Sequence, residues 1–241
     1  MRISEIINPV DDRHLDLDLE EGWKDWVAGA AMGAAALAPQ TSDAKTAPQE
    51  RPAITKQVSS APATPAETQA ATKLILKPEA KVLIQAARAS GMRGSELAQF
   101  IAQCAHETAN FSSLKEKGGK LDFKKYDLKH NPRKAKILGN TQIGDGAKYH
   151  GRGYIQLTGR DNYKRAGKAL GLPLEAQPEL VENPDIAAKV AVWFWQQQVA
   201  PKVTNFSNTA QVTKPINSGL RGLEDRHVKY AGILSLMTPK S

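Results

Sequence analysis

The stretch ELAQFIAQCAHETANF, residues 96–111, alternates apolar and polar positions with the period of a helix. At about 100° per residue its larger apolar side chains fall on one stripe, formed by Leu97, Phe100, Ile101 and Cys104. Glu107 lies on or beside that stripe, seven residues after Phe100. Carboxylates are rarely placed against an apolar face without a partner or a role. The pattern therefore predicts a core-packed helix whose glutamate needs an explanation.

Two further segments have helical periodicity. In KPEAKVLIQAARASG, Pro78 lies near a predicted helix start and Gly91 follows its end. In DIAAKVAVWFWQQQVAPKV, apolar residues recur at helical spacing, and the aromatic cluster Trp193, Phe194 and Trp195 favours core packing over sugar stacking. From residue 74 onward, the pattern predicts a mainly α-helical domain.

The chain divides into three predicted regions. Residues 1–38 form an acidic segment with a short apolar stretch, which is either a packing or partner-binding helix, plain disorder, or a weak membrane or export element. Residues 39–72 contain five prolines and no aromatic residue, which predicts a disordered linker. Residues 73–241 form the predicted globular domain.

Charge is distributed unevenly between these regions. Residues 1–50 carry 4 Lys/Arg and 10 Asp/Glu, net −6, whereas residues 51–241 carry 29 and 15, net +14. A strongly basic domain favours an anionic partner, which leaves nucleic acid, an acidic membrane and an anionic cell-wall polymer open. The one cysteine, Cys104, excludes an internal disulfide and is expected to pack in the core.

Three chemistries are conceivable around Glu107. A zinc-protease motif needs a second histidine three residues after the glutamate, where Asn110 stands, and Cys104 and His106 are too poorly aligned on a helix for a nucleophilic pair. The third is an acid kept protonated by apolar surroundings, working with a solvated, ionised Glu116 as in glycoside hydrolysis. The alternative is structural, with Glu107 in a helix-end salt bridge and Glu116 a surface charge.

Four blocks resemble the motifs of family-19 glycoside hydrolases and occur in the same order: AHETANF, YHGRGYIQLTGRDNY, ENPDIAAKVAVWFW and INSGLRGLEDRHVKY. The resemblance covers roughly residues 74–236 and is closest to the bacteriophage endolysin and lysozyme-like branch. It implies a mainly α, lysozyme-like, two-lobed domain with a substrate cleft, preceded by the disordered N-terminal region.

The resemblance also implies roles for individual residues. Glu107 matches the general acid, Glu116 the second glutamate, and Thr158 a residue that helps to hold the attacking water. The expected substrate-binding or site-ordering residues are His106, Tyr149, Gln156, Asn162, Asn217 and Arg226. No metal and no cofactor is required, and the expected reaction inverts the anomeric carbon.

The expected function is a peptidoglycan-cleaving endolysin, with a chitinase and a non-catalytic wall-binding virion protein as alternatives. Its expected partners are peptidoglycan strands and a virion or membrane component for the N-terminal segment, with no nucleic acid and a monomeric state. We expect synthesis in a host cytoplasm, action on the periplasmic or cell-wall peptidoglycan, and hydrolysis that does not need residues 1–72.

Overall fold

The computed structural model describes residues 62–238. These residues form helices and turns, with two isolated β-bridges and no strand. The α-helices are α1 (Pro65–Ile75), α2 (Pro78–Ala89), α3 (Gly94–Glu107), α4 (Pro132–Ile137), α5 (Asp145–Lys148), α6 (Arg160–Leu170), α7 (Pro184–Phe194), α8 (Thr209–Thr213) and α9 (Leu223–Met237). Shorter 3₁₀ turns span Asp122–Tyr126, Pro178–Glu182 and Ala200–Lys202, and a π-helical turn spans Trp195–Val199. No helix within 62–238 has the length and apolar content to cross a bilayer.

The prediction of a linker up to residue 72 is wrong at its C-terminal end, because α1 begins at Pro65. Thr64 accepts a hydrogen bond from the Glu67 amide while Glu67 accepts one from the Thr64 amide, and this capping box starts the helix. Ala71, near the end of the predicted linker, is buried. The predictions for residues 1–38 and for residues 39–61 of the linker concern positions outside the described residues.

Helix α3 forms the centre of the larger core, as the apolar stripe predicts. Every side chain from Leu97 to Ala105 is buried, and α9 and α2 pack against the helix. Helix α1 packs on α9, where a Cβ added at Gly232 would come within 2.7 Å of the Glu67 carbonyl oxygen. The N- and C-terminal helices of the domain are therefore in direct backbone contact.

Two hydrophobic clusters give the domain two lobes joined by α7. The first contains the buried residues of α1, α2, α3 and α9 and includes Trp195, whose ring lies edge-on to Phe100 at 5.2 Å. The second contains Tyr149, Tyr163 and Trp193. Trp193 and Trp195 are both buried, which confirms the prediction that this aromatic cluster belongs to the core.

Deleting residues 1–72 should destabilise the domain. The sequence analysis, in contrast, expects that hydrolysis does not need these residues. The deletion removes the cap and most of α1, so Leu74 and Ile75 lose the helix that holds them in the core. Burial of one such side chain contributes roughly 1.5–3 kcal/mol, so we expect a loss of at least about 2 kcal/mol in the free energy of unfolding. Denaturant unfolding of a chain starting at Lys73, which lacks most of α1, and of one starting at Pro62, which keeps α1, measures the difference. Equal midpoints and slopes for both would contradict the role assigned to α1.

Candidate active site

Glu107 is the last residue of α3, and its carboxylate is paired rather than surrounded by apolar groups. The Arg226 Nη2 group donates to Glu107 Oε1, and the glutamate side chain remains 23% exposed. The apolar environment expected for Glu107 is therefore wrong. The environment is charged because α9 brings the guanidinium of Arg226 to the C-terminal end of α3. The helix dipole also favours a positive charge at that end.

Arg226 is held in place by three groups, two on α3 and one in the turn before α9. Its side chain is only 1% exposed. Besides Glu107, it donates through Nη1 to Gln103 Oε1 at 2.5 Å and through Nε to the Arg221 carbonyl oxygen at 3.3 Å. A buried guanidinium requires such partners for its fixed fork of donors. The result is one preferred orientation for the Glu107 carboxylate.

A buried polar ladder extends this network, and sequence reasoning missed it. Gln103 donates to Thr213 Oγ1 at 3.1 Å, and Gln99, one turn earlier on α3, donates to Thr209 Oγ1 at 2.9 Å. All four side chains are buried, and they join α3 to α8. The available signal was a pair of glutamines four residues apart in an otherwise apolar helix.

His106 is oriented by α9 rather than by Glu107. Its Nδ1 lies 2.5 Å from Asp225 Oδ2, and Lys229 pairs with the other oxygen of the same carboxylate. Partial burial raises the pKa of Asp225, but hydrogen bonds from His106 and Lys229 outweigh it and hold that pKa below its usual value. A Cβ at Gly222 would lie 2.1 Å from His106 Cε1, so only glycine fits beside the ring.

The chain leaves α3 through three successive left-handed residues, Ala109, Asn110 and Phe111, with φ of 47°, 62° and 58°. The Asn110 amide donates to the Ala105 carbonyl at 2.7 Å, and the Phe111 amide donates to Thr108 Oγ1 at 3.1 Å. Left-handed residues other than glycine cost roughly 1–3 kcal/mol each and cluster at functional sites. This strained turn directs the chain from Glu107 toward Glu116.

Glu116 is half-buried and fully partnered, which corrects the expectation of a solvated loop charge. Lys125 Nζ and the Tyr126 hydroxyl donate to its Oε1 at 2.8 and 3.0 Å, and the Gly151 amide donates to its Oε2 at 3.0 Å. Burial raises the pKa of Glu116, but these three donors outweigh it and hold the pKa below its usual value of 4.5. The carboxylate is thus kept ionised, as the sequence analysis expects of the second glutamate.

Gly151 lies between Glu116 and Gln156. A Cβ at this position would come within 2.9 Å of Gln156 Oε1 and 3.1 Å of Glu116 Oε2, so both oxygens lie against the glycine. Gln156 itself has a φ of 51° and donates to the Gly153 carbonyl at 3.1 Å. The GRG turn thereby brings an amide oxygen beside the Glu116 carboxylate.

Thr158 and Asn162 support the same turn. The Thr158 hydroxyl donates to the Gln156 carbonyl at 2.8 Å, and Asn162 Nδ2 donates to the Thr158 carbonyl at 2.8 Å. With its proton used in this way, the Thr158 oxygen can accept a hydrogen bond from a water. The structure places Gln156 beside Glu116 across Gly151, and Thr158 and Asn162 hold the turn that carries Gln156. The individual roles of these three residues stay predictions.

Arg152 holds the 151–162 turn in place, and the sequence analysis did not identify it. It is buried and donates to Glu182 Oε1 at 2.8 Å and to the Tyr163 hydroxyl at 3.1 Å. Its backbone also forms an isolated antiparallel β-bridge with Lys115, the residue before Glu116. The available signal was an arginine between two glycines at residues 151–153.

Tyr149 and Asn217, both predicted to bind substrate or order the site, lie in different parts of the structure. Tyr149 has no exposed surface, and its hydroxyl donates to the Glu175 carbonyl at 2.9 Å, so its prediction as a substrate contact is wrong. Its ring packs against Tyr163 in the second core cluster. Asn217 is half-buried in the turn between α8 and α9, where its Oδ1 accepts from the Gly219 amide at 3.2 Å. It shares that turn with Gly222, beside His106.

The site thus has an acid half built from α3 and α9 and a base half built on the 151–162 turn, connected by residues 108–115. Within residues 62–238, no cluster of three or more His, Cys, Asp or Glu side chains is arranged to hold a metal ion. Two carboxyl groups with different partners are the arrangement that acid/base hydrolysis of a glycosidic bond uses.

Several known proteins are similar to this chain. A glycosyl hydrolase family 19 domain-containing protein of Haemophilus influenzae is 32% identical over 172 residues, which are 62% of this chain and 84% of that protein. An endochitinase of Arabidopsis thaliana is 36% identical over 148 residues, but the match spans only 52% of its length. The structure of chitinase C from Streptomyces griseus has 26% identity and a TM-score of 0.46, over 71% of this chain and 67% of that chain.

The family model for chitinase class I, glycoside hydrolase family 19, matches residues 79–218, which is more than half of the chain. The matched segment contains Glu107, Glu116 and the whole 151–162 turn. The chain therefore belongs to glycoside hydrolase family 19 and is a glycoside hydrolase with a mainly α-helical, lysozyme-like fold.

Proposed function

We propose that this glycosidase hydrolyses β-1,4 bonds of bacterial peptidoglycan, as an endolysin does. The observation that carries the proposal is the contrast between the two glutamates. Glu116 is kept ionised by three donors, and Glu107 is presented at a helix end with part of its surface open to substrate. A non-catalytic wall-binding protein would have no need of this pair.

In the proposed mechanism, Glu107 protonates the glycosidic oxygen while Glu116 removes a proton from the attacking water. Arg226 engages Oε1 of Glu107 and leaves Oε2 for the leaving group. Thr158 accepts a hydrogen bond from the water, which attacks the anomeric carbon from the opposite face and inverts it. Such a mechanism requires the two carboxyl groups to be about 6.5–9.5 Å apart, with the water between them.

Charge favours peptidoglycan as the substrate. Residues 51–241 carry a net charge of +14, and a basic field concentrates an anionic polymer at the surface. Bacterial walls are anionic, whereas chitin is nearly neutral. Chitin hydrolysis is the second candidate, because the Arabidopsis relative is named an endochitinase.

The proposal extends to the cellular setting. The enzyme is made in a host cytoplasm, acts as a monomer on periplasmic or cell-wall peptidoglycan, and is phage-derived. Its acidic residues 1–38 dock to a virion or membrane component, and nucleic acid is not a partner. The charge difference between residues 1–50, net −6, and residues 51–241, net +14, motivates the docking role.

Substrate choice is tested with purified peptidoglycan and chitin oligomers, reading products by mass spectrometry. We expect fragments from peptidoglycan and a much slower reaction with chitin. Turnover of chitin alone would show that the second candidate is correct.

The acid and base roles are tested by Glu107→Gln and Glu116→Gln. Each keeps the shape of the side chain but removes its proton transfer, so turnover of soluble peptidoglycan should fall roughly 10²–10⁴-fold. Glu179→Gln, an exposed glutamate in the second lobe, is the control and should retain activity. Circular dichroism establishes that each variant is folded. Near-normal turnover by folded Glu107→Gln would eliminate the proposed acid.

Lys125→Met should move the acidic limb of the kcat/KM profile to higher pH. The variant removes a donor that lowers the Glu116 pKa, so a higher pH is needed to ionise the base. Lys124→Met changes the neighbouring exposed lysine, for which the structure shows no side-chain contact with Glu116, and should leave the limb in place. An unchanged limb in Lys125→Met would mean that Glu116 does not set it.

A further inference from the structure

A concave site lies on the second lobe, apart from the two glutamates. It has a volume of about 550 Å³ and lies between α6, the end of α5 and the loop that follows α6. Glu107, Glu116 and Thr158 do not line it. A ligand here would therefore be held away from the carboxyl groups proposed to perform hydrolysis.

Its walls carry a cluster of cations placed by helical spacing. Arg160, Lys164 and Lys168 lie four residues apart on one face of α6, and Lys148 reaches the site from α5. Like charges at this spacing on one helix face repel one another, which is unfavourable in the absence of an anion. Glu175 is the one carboxylate among the lining residues.

The cations differ in how far they are neutralised. Arg160 donates through Nε and Nη2 to both oxygens of Asp145, at 3.0 and 2.6 Å, so its charge is compensated. Lys148 lies over the Tyr149 ring at 5.1 Å. Lys164 and Lys168 are exposed and form no ion pair within residues 62–238. Two uncompensated ammonium groups therefore face the site.

The rim is formed by a closely packed loop. A Cβ at Gly167 would come within 2.6 Å of the Leu172 carbonyl oxygen, so glycine at this position lets the loop close against α6. Leu172, Pro173 and Ala176 then supply an apolar edge beside the lysines. Charge on one side and an apolar edge on the other suit a sugar that carries an anionic substituent.

We infer that this site binds the phosphate group of a phosphorylated sugar, with Lys164 and Lys168 as its main ligands. Ammonium groups bind phosphate oxygens as point charges, and a phosphate monoester carries about −1.5 to −2 charges at pH 7, which matches two free lysines. Glu175 can accept a hydrogen bond from a sugar hydroxyl. The site would attach the enzyme to phosphate-bearing envelope glycans independently of bond cleavage.

The test is calorimetric titration of the full chain with N-acetylglucosamine 1-phosphate, N-acetylglucosamine and inorganic phosphate. We expect binding of the sugar phosphate, weaker binding of inorganic phosphate and none of the uncharged sugar. The double variant Lys164→Gln/Lys168→Gln should weaken binding at least roughly tenfold, since two charge-assisted contacts are lost. Lys136→Gln/Lys202→Gln removes the same charge at exposed positions outside the site and should bind as the parent does.

Several results would overturn the inference. Absence of sugar phosphate binding by the parent would show that the site is not a receptor for this group. Equal weakening in both double variants would assign the effect to net charge alone. Inorganic phosphate binding as tightly as the sugar phosphate would remove the sugar from the proposal. Because the readout is binding, none of these results depends on whether peptidoglycan is the hydrolysed substrate.

Discussion

The buried guanidinium of Arg226 is the interaction on which the acid half of the site depends. It joins α9 to α3 through Gln103 and Glu107, and its burial makes each of those contacts necessary. Removing one partner would leave a charge without compensation in the interior. The buried guanidinium needs Glu107 as a partner, and the contact between them keeps the Glu107 carboxylate in one orientation.

The base half is built on a different principle. Glu116 receives its donors from a lysine, a tyrosine and a backbone amide, and that amide is within reach because Gly151 has no side chain. Arg152 fixes the turn through Glu182 in the second lobe. The two halves thus belong to different packing units, and the strained residues after α3 span the distance between them.

Features that depend on residues close together in the sequence could be predicted from it, whereas features that depend on distant residues could not. The stripe from Leu97 to Cys104 is predictable because helical periodicity reports burial directly. The environment of Glu107 does not follow from periodicity, since its partner Arg226 is 119 residues away, and only the family resemblance indicated that Arg226 belongs to the site. Helix α1 was missed because its capping box lies within a composition typical of linkers. Tyr149 was misplaced because proximity to a motif does not indicate which way a side chain points.

We propose that the two glutamates act as an inverting acid/base pair. The anomeric configuration of the newly formed reducing end tests it most directly, because an inverting enzyme converts a β-linkage into an α-product. Proton NMR during the first minutes of peptidoglycan hydrolysis, before mutarotation, distinguishes the two anomers. We expect the α-anomer to appear first. Initial formation of the β-anomer would contradict it, because retention requires a nucleophile on the enzyme or substrate in place of a water activated by Glu116.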